Sequence, residues 1–415
     1  MFICYAASAI GFEYCPPVLG LDGTHLKMKY KGVLLTTTAV DANGSLFPIA
    51  TVVVDIENDD NWLWFIQLFH GVLVQHVPTL LIPRALAFIS DHQKGLLEGV
   101  ECVFPGTAHG RCLRHLYENM YKQFKHPKLK TFLWQAAEAI TKDDFNKALS
   151  KIEGIDKNAL QWLLTSTNPE HWAELYFPGR RYGHITSNIA ESLNSALLEA
   201  CEKPILGMFE HMRQHLMSWF AERWGIDSVV PPNQIVVSKV TKKIQELIVG
   251  QARCYCFLSA TNVDFEVLSL RTNDCYIVKL PQMTCTCFAW QSTGIPCSHA
   301  TGIILFHKEN PQTYVQAFLS FDAYRRTYAN AIYPPAANVA DNTPIFGPLQ
   351  YSDNRNAQAD RADRIIPPHA RRAAGRPKVR RIRGGVEGPF GQRRAKRCGC
   401  CNGIGHSNTT CDASI

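Results

Sequence analysis

The stretch VLGLDGTHLKMKYKGVLLTTTAVDANGSLFPIATVVVD, residues 18–55, contains three apolar runs separated by polar turns. The first run, Val18–Asp22, ends in Asp-Gly; the second, Val33–Val40, is rich in threonine and valine; the third is Leu46–Asp55. Between the second and the third lies Asp41-Ala-Asn-Gly44, and Asn-Gly is a strong signal for a tight turn between strands. Because β-branched residues favour extended backbone, the stretch predicts three antiparallel strands that form a meander.

One helix and two further strands are predicted after the meander. Asn61–Pro83 has no charged residue, but it contains polar residues and repeats its apolar ones at helical spacing. This pattern predicts a buried amphipathic helix followed by a strand, and not a membrane span. Ala85–Ser90 predicts the fourth strand, reached by a crossover, and Gly106–Arg111 predicts an edge strand. This α/β order is compatible with a ribonuclease-H-like sheet.

The rest of the chain divides into a helical part, a second β region and a tail. Leu116–Leu175 has a helical pattern, with Trp134, Trp162 and Leu163 as apolar anchors, and one helix is predicted from near Asn188 towards Trp224. Pro231-Pro232 marks a boundary. The elements predicted after it are a helix at Val237–Val249, strands at Cys254–Ser259, Asp264–Leu270 and Cys275–Leu280, and a helical stretch at Gln312–Ala329.

Composition excludes several classes of protein. A chain of 415 residues is too long for one compact core and suits two or three domains. The opening residues lack the basic start of a signal peptide, so we expect a soluble protein without a membrane segment. The 15 cysteines are odd in number, and six of them fall into two tight clusters with histidine. Metal binding in a reducing compartment therefore explains them better than a disulfide framework.

Positive charge is concentrated near the end of the chain. Residues 371–397 hold eleven lysines and arginines against one acidic residue, Glu387, for a net +10, so the rest of the chain carries −3 of the total +7. Such a segment is typical of a flexible arm that contacts nucleic acid, although a nuclear-import signal or a solubilising tail remains open. The residues expected to bind are Arg376, Lys378, Arg380, Arg381 and Arg383.

The first metal-ligating cluster is Cys285-Thr-Cys287, nine residues, and Cys297-Ser-His299. Three thiolates and one imidazole suit tetrahedral Zn²⁺, and four protein ligands close a structural site. The alternative is a group of buried thiols without metal. The spacing resembles that of the SWIM zinc finger, including Phe288 and Gly294-Ile-Pro296 between the pairs.

The second cluster is Cys398, Cys401, His406 and Cys411, within fourteen residues. A segment this short cannot bury a core, so its folding would depend on metal. The spacing resembles that of the retroviral-type zinc knuckle, a module for single-stranded nucleic acid. Cys400 could compete as a ligand, and chance spacing is the alternative. The preceding Gly375-Arg376-Pro377-Lys378 resembles a fragment of an AT-hook.

Three acidic residues stand where an active site could assemble. Asp22 ends the first strand, Asp91 follows the fourth, and Glu191 lies in the first turn of a later helix. Each also has a purely structural interpretation. Asp22-Gly23 could form a turn, Asp91 could cap a helix, and Asn188 with Glu191 fits a capping box.

The residues around these three positions resemble Mutator-like element transposases. Similar segments are Gly11–Lys27, Asp41–Pro48, Asn61-Trp-Leu-Trp-Phe65, Ile89-Ser-Asp-His-Gln-Lys-Gly95, Cys112-Leu-Arg-His115 and Thr186-Ser-Asn-Ile-Ala-Glu-Ser-Leu-Asn194. The resemblance covers roughly Phe2 to Tyr328 and implies a ribonuclease-H-like catalytic core with a helical insertion. It departs from the family at Cys15-Pro16, where arginine usually follows the cysteine.

In that family three acidic residues hold two Mg²⁺ or Mn²⁺ ions for phosphodiester cleavage and strand transfer. The resemblance implies that Asp22 bridges both ions and that Asp91 and Glu191 each complete one coordination sphere. It also implies that Cys112 and His115 shape the site near Asp91. A zinc role for that pair would need two further ligands, which the sequence does not identify.

Four segments follow from these patterns. They are an α/β core at 1–228 with a helical insertion at about 116–180, a SWIM zinc module at 229–330, a disordered linker at 331–397 that includes the basic segment, and a knuckle at 398–411.

The resemblance implies a nuclear protein that binds transposon ends and target DNA, forms a homo-oligomer and has no membrane partner. The knuckle adds single-stranded nucleic acid as a possible partner. Because Met1 falls just before the core, a truncated or inactive copy stays open. A domesticated DNA-binding regulator without turnover, and an inert core with an RNA-binding tail, stay open too.

Overall fold

The computed structural model describes residues 1–27, 31–81, 85–91, 95–226, 230–231, 233–250, 255–259, 264–270 and 274–334. The basic segment and the knuckle with Cys398, Cys401, His406 and Cys411 lie outside the described residues. So does the predicted disordered linker beyond Pro334.

The predicted meander is confirmed, with an additional strand at its edge. A short strand and a helix come first, and the three predicted strands pair antiparallel in chain order. The Asp41 carboxylate accepts hydrogen bonds from the backbone N–H groups of Asn43 (2.9 Å) and Ser45 (2.8 Å), which fixes the turn between the last two strands. These elements are β1 (Phe2–Cys4), α1 (Ala6–Gly11), β2 (Val18–His25), β3 (Val33–Val40) and β4 (Leu46–Val54).

The sheet continues on the other side of β2 with parallel strands. The crossover helix begins at Asp59 and not at Asn61, because the Asn58 side chain accepts a hydrogen bond from the N–H of Asn61 and so caps the helix. The sheet order is β1-β4-β3-β2-β5-β6, and both β2–β5 and β5–β6 are parallel. The elements are α2 (Asp59–His76), β5 (Ala87–Ser90), α3 (Leu96–Val103) and β6 (Ala108–Arg111).

The main core lies between the sheet and α2. Trp62, Phe65 and Phe69 on α2 are at most 1 % exposed, and burial of each such side chain contributes about 2 kcal/mol relative to exposure. The same core includes side chains from two later segments, Val236–Ile244 and Phe321–Ile332. The chain on both sides of residue 228 therefore shares one apolar core.

The predicted helical region forms four helices with a core of their own. Leu163 is fully buried there, but Trp134 and Trp162 are only partly buried. Trp172, which follows the last helix, is fully buried at the centre. The four helices are α4 (Leu113–Phe124), α5 (Lys128–Glu138), α6 (Lys142–Ile155) and α7 (Lys157–Ser166).

The single helix predicted from Asn188 towards Trp224 is wrong: the structure has two helices, α8 (Asn188–Ala196) and α9 (Ile205–Ile226). Pro204 has no N–H, and it disfavours helical backbone at Lys203, which is extended (φ −91°, ψ 156°). The helix that carries Glu191 is thereby short and separate, and it packs on β2 and β3.

The second β region forms an antiparallel sheet of four strands in the order β10-β9-β8-β7, which confirms the three predicted strands and adds a short fourth one. The helical stretch predicted at Gln312–Ala329 contains two 3-10 turns and one helix. Among the described residues, none of the helices combines the length and apolar character that a membrane span requires. The elements are α10 (Ser238–Gly250), β7 (Tyr255–Ser259), β8 (Asp264–Ser269), β9 (Cys275–Lys279), β10 (Thr284–Cys285), α11 (Ala289–Thr293), α12 (Ser298–Phe306) and α13 (Phe321–Thr327).

Candidate active site and zinc site

Asp22 and Asp91 occupy matching positions on neighbouring parallel strands. Gly20 of β2 pairs with Ile89 of β5, and each acidic residue lies two positions further along its chain. Because the strands run in the same direction, both residues reach the same edge of the sheet, just past the end of β5; β2 continues to His25, so Asp22 does not end its strand as predicted. Ligand sites in α/β folds form at this edge, beyond the carboxyl ends of parallel strands.

Helix α8 brings Glu191 to the same edge. Gly20 permits this close packing, since a Cβ there would lie 3.1 Å from the Cβ of Ala190 and 3.2 Å from its backbone nitrogen. One turn after Glu191, the Asn194 side chain donates a hydrogen bond from Nδ2 to Oδ2 of Asp22 (2.8 Å). The Thr36 hydroxyl on β3 lies 3.4 Å from Oδ1 of Asn194. Sequence reasoning gave Asn194 no role, although its spacing of three from Glu191 places both on one helix face.

The charged groups at this edge shift the pKa of Asp22. Burial and the negative charges of Asp91 and Glu191 raise the pKa of the Asp22 carboxyl to about 7, while His115 and the N–H of Gly23 act in the opposite direction. Burial is the largest cause of this shift, and the charges of the two neighbouring carboxylates add to it. Carboxylate oxygens are the ligands that Mg²⁺ and Mn²⁺ prefer, but among the described residues those of Asp22, Asp91 and Glu191 do not form a group within 4.8 Å of one another.

Both oxygens of Glu191 have protein partners. The Arg114 guanidinium pairs with Oε2, and the Ser187 hydroxyl donates to Oε1 at 2.9 Å. The N-cap residue of α8 is Ser187 and not Asn188, so the capping-box alternative does not hold for Asn188, although Glu191 does contact the start of its own helix through Ser187. His115 Nε2 lies 3.9 Å from Oε1. Glu191 therefore faces two basic side chains of α4.

Cys112 and His115 lie beside Asp91, as the resemblance implied. Cys112 is the N-cap of α4, and its N–H donates to the carbonyl of Ser90 (2.7 Å), the residue before Asp91. Burial alone would raise the pKa of the Cys112 thiol, but a hydrogen bond and the charge of His115 bring it below its usual value. Burial alone would lower the pKa of His115, but Cys112, Glu191 and Asp91 raise it to about 9. The two side chains therefore favour a thiolate–imidazolium pair.

The four predicted ligands of the first zinc cluster come together in the second β region. Cys285 belongs to β10, Cys297 caps α12, and His299 lies in the first turn of that helix. All four side chains are buried, and their ligand atoms lie within 4.8 Å of one another. Nδ1 of His299 is 3.6 Å from the sulfur of Cys285 and 3.8 Å from that of Cys297. Three thiols and an imidazole at this spacing fit tetrahedral Zn²⁺.

Neighbouring groups orient these ligands. The ring of Tyr276 stacks on the His299 imidazole, with 3.9 Å between centroids. Backbone N–H groups of Cys287 and Ala300 point at the sulfurs of Cys285 and Cys297, each at 3.5 Å. Hydrogen bonds from Cys285 and Cys297 lower the pKa of the Cys287 thiol. The same shared hydrogen bonds raise the pKa of the Cys285 thiol to about 12 and that of Cys297 above its usual value, so of the three thiols only Cys287 is shifted towards the thiolate.

The zinc cluster is attached to the helical region by one polar bridge. Ser292, between the two ligand pairs, donates to Oε1 of Glu174 at 2.7 Å. Oε2 of Glu174 accepts two hydrogen bonds from Arg181, at 2.7 and 3.0 Å, and Arg181 is only 1 % exposed. A charged pair of this kind orients Ser292, and with it the finger, against the helices.

Two segments of the chain match known protein families, one at the candidate active site and one at the zinc cluster. Residues 18–119 match the MULE transposase domain, a range that includes Asp22, Asp91, Cys112 and His115 but not Glu191. Residues 273–307 match the SWIM zinc finger and include its four ligands. No curated protein matches the chain. The first match supports a Mutator-like transposase family, and the second supports zinc at the buried cluster.

Proposed function

We propose that this chain is a Mutator-like DNA transposase in which Asp22, Asp91 and Glu191 hold two Mg²⁺ or Mn²⁺ ions. The observation that carries the proposal is the raised pKa of Asp22, which arises from burial and from the charges of the other two carboxylates. Strongly shifted carboxyl groups cluster at functional sites, and the geometry agrees: Asp22 and Asp91 lie on neighbouring parallel strands, and Asn194, one turn after Glu191, donates a hydrogen bond to Asp22.

The sheet supports a ribonuclease-H-like core. Strand β2 lies between an antiparallel meander on one side and two parallel strands on the other. This places Asp22 on a central strand and Asp91 on its parallel neighbour. The helices α4–α7 follow β6 and precede Glu191, as expected of a helical insertion.

The side chains around the carboxylates would prepare the site for phosphodiester chemistry. When bound, two divalent ions supply the activation of the attacking oxygen and the stabilisation of the leaving oxygen. Asn194 fixes the rotamer of Asp22 through Oδ2, and the N–H of Gly23 does so through Oδ1 at 3.0 Å. Arg114 and His115 place positive charge beside Glu191, where a DNA phosphate would approach.

The same proposal includes the nucleic acids that the chain would bind and the compartment in which it would act. The chain would act on transposon ends and target DNA in the nucleus, as an oligomer that brings two ends together. The basic segment and the zinc knuckle would add contacts to DNA and to single-stranded nucleic acid, which would make binding strongly dependent on salt.

One observation favours a second candidate, a domesticated DNA-binding protein without turnover. The Arg114 guanidinium occupies Oε2 of Glu191. An arginine bound to a carboxylate competes with a divalent cation for the same oxygen. In a protein of this kind, the fold and the zinc finger would persist while the ion pair replaced the metal.

The test is a cleavage and strand-transfer assay with the full chain, Mn²⁺ and DNA that carries the element's terminal repeat. Wild-type protein should nick the DNA and join the freed 3′ end to a target, and Asp22→Asn should abolish both steps. The matched control is Asp143→Asn, which removes an exposed carboxylate on α6. Equal nicking by wild type and Asp22→Asn would overturn the enzymatic proposal.

Binding without cleavage would favour the second candidate. In that case wild type and Asp22→Asn should retain the terminal-repeat DNA equally, and neither should nick it.

A further inference from the structure

A second cluster of metal-type ligands lies inside the proposed active site. Cys112, His115 and Glu191 each offer one ligand atom, and these three atoms lie within 4.8 Å of one another. Cys112 and His115 belong to the N-terminal turn of α4, and Glu191 belongs to that of α8. The backbone N–H of Leu113 donates to the carbonyl of Ile185 (3.0 Å), which joins the two turns.

The spacing of these ligands is close to what Zn²⁺ needs. Bonds of about 2.0–2.3 Å in a tetrahedral site place ligand atoms about 3.3–3.8 Å apart. His115 Nε2 and Glu191 Oε1 are 3.9 Å apart, and His115 also forms a hydrogen bond with Cys112. The buried zinc-finger cluster has sulfur–nitrogen separations of 3.6 and 3.8 Å. Since all three ligand atoms lie within 4.8 Å of one another, no separation exceeds the tetrahedral range by more than about 1 Å.

The surrounding groups orient these three side chains as ligands. The Ser187 hydroxyl donates to Oε1 of Glu191 and also forms a hydrogen bond with Cys112. Arg114 holds the opposite oxygen, Oε2, so that Oε1 faces His115. The start of α4 stabilises negative charge on the Cys112 sulfur. Outer partners of this kind are typical of metal centres.

We propose that Cys112, His115 and Glu191 form a Zn²⁺ site that overlaps the catalytic site. A thiolate and an imidazole favour Zn²⁺ strongly over Mg²⁺ and Mn²⁺. Three protein ligands leave one coordination position open, unlike the closed four-ligand finger. Since Glu191 serves both sites, Zn²⁺ bound here withdraws it from the Mg²⁺ or Mn²⁺ pair. This inhibitory effect rests on the proposed function, whereas the binding of Zn²⁺ does not.

The binding experiment measures zinc per chain in full-length protein saturated with Zn²⁺ and then freed of loosely bound metal. Wild type should hold one ion more than Cys112→Ser. The matched control is Cys201→Ser, which changes another fully buried thiol outside the cluster and should keep the wild-type count. Glu191→Gln, which preserves side-chain size, should weaken the extra ion about 10- to 100-fold and guards against misfolding of the cysteine variant.

Equal zinc content in wild type, Cys112→Ser and Glu191→Gln would overturn the proposal. Replacement of the extra ion by Co²⁺ gives a second measurement, because a cobalt–thiolate bond absorbs strongly and needs the Cys112 sulfur. The absorption should be equally strong in wild type and in Cys201→Ser. In Cys112→Ser it should be weaker by the contribution of one cobalt–thiolate bond.

The inhibitory part is tested by Mn²⁺-dependent cleavage with and without added Zn²⁺, compared as a ratio within each variant. Zn²⁺ should reduce cleavage by wild type and by Cys201→Ser about ten-fold or more, and should reduce cleavage by Cys112→Ser far less. If wild type cleaves no DNA, the proposed function fails while the zinc count still decides the site. If zinc binds and cleavage is unaffected, the inhibitory part is wrong.

Discussion

Two groups of cysteine, histidine and acidic side chains in this molecule show how similar residues can serve different purposes. In the zinc finger, Cys285, Cys287, Cys297 and His299 are at most 8 % exposed, and no carboxylate belongs to the cluster. In the candidate active site, the side chains of His115 and Glu191 are 27 % and 15 % exposed. The ligands of the finger are shielded from solvent, whereas those of the candidate active site are partly exposed.

The largest expected effect is the unfolding of the zinc finger when one of its ligands is removed. Cys297→Ser removes one of four zinc ligands, and a small metal module draws much of its folding free energy from the ion. We expect the finger to lose zinc and to become sensitive to limited proteolysis, while the sheet that carries Asp22 stays folded. Cys275→Ser, which alters an exposed thiol near the finger, is the control and should leave proteolysis unchanged.

The second prediction concerns the pKa of Asp22, which burial and the charges of Asp91 and Glu191 raise. In the metal-free protein the pKa of Asp22 is about 7, against 3.8 for a carboxyl of its type. Between these values the folded chain holds a proton that the unfolded chain has lost, so stability falls as pH rises from about 4 to about 7. Asp22→Asn removes this loss and should be more stable than wild type above pH 7, by on the order of 4 kcal/mol.

Chemical denaturation in chelator at pH 4 and at pH 8 measures this difference. Asp143→Asn should show no such change between the two pH values. A free energy of unfolding for Asp22→Asn that equals wild type at pH 8 would contradict the expected repulsion.

A smaller effect is expected at Asn194, which touches Asp22 but carries no charge. Asn194→Ala frees Oδ2 of Asp22 from its hydrogen bond and should raise the Mn²⁺ concentration for half-maximal cleavage about 10-fold, since outer partners of ligands typically contribute that much. Asn194→Ser keeps a hydrogen-bond donor, so its half-maximal Mn²⁺ concentration should lie between those of wild type and Asn194→Ala. A change in the maximal rate alone, at unchanged Mn²⁺ dependence, would show that Asn194 acts in another way.

The smallest effect concerns the bridge between the finger and the helices. Ser292→Ala removes the hydrogen bond to Glu174 and should lower the free energy of unfolding by about 1 kcal/mol. The expected shift is modest, because Arg181 still neutralises Glu174. Thr293→Ala, at the neighbouring residue of α11, is the control, because its hydroxyl bonds only within the finger.

Local patterns could be predicted from the sequence. The strands of the meander follow from runs of apolar and β-branched residues and from Asn-Gly, and the zinc ligands follow from spacing within fifteen positions. Strand β1 was missed because three residues are too short to show a pattern, and it pairs with β4 only through the fold. The break between α8 and α9 lies at Pro204, a signal that the sequence contains but that the apolar pattern on either side hid.

Contacts between distant segments could not be predicted in the same way. Asn194 meets Asp22 because Gly20 allows α8 to approach the sheet, and neither the distance nor the partner is visible in the sequence. Glu191 joins Cys112 and His115 for the same reason, which is why the sequence could not supply a further ligand for that pair. Convergence of this kind depends on packing, since the residues lie far apart along the chain.

The most direct test of the central claim is the binding of Mn²⁺ to full-length protein with zinc in the finger and none at Cys112, His115 and Glu191, measured by electron paramagnetic resonance. If Asp22, Asp91 and Glu191 share a pair of ions, wild type should show two Mn²⁺ coupled to each other, and Asp22→Asn should lose the coupling. An identical spectrum and stoichiometry in both proteins would contradict the account.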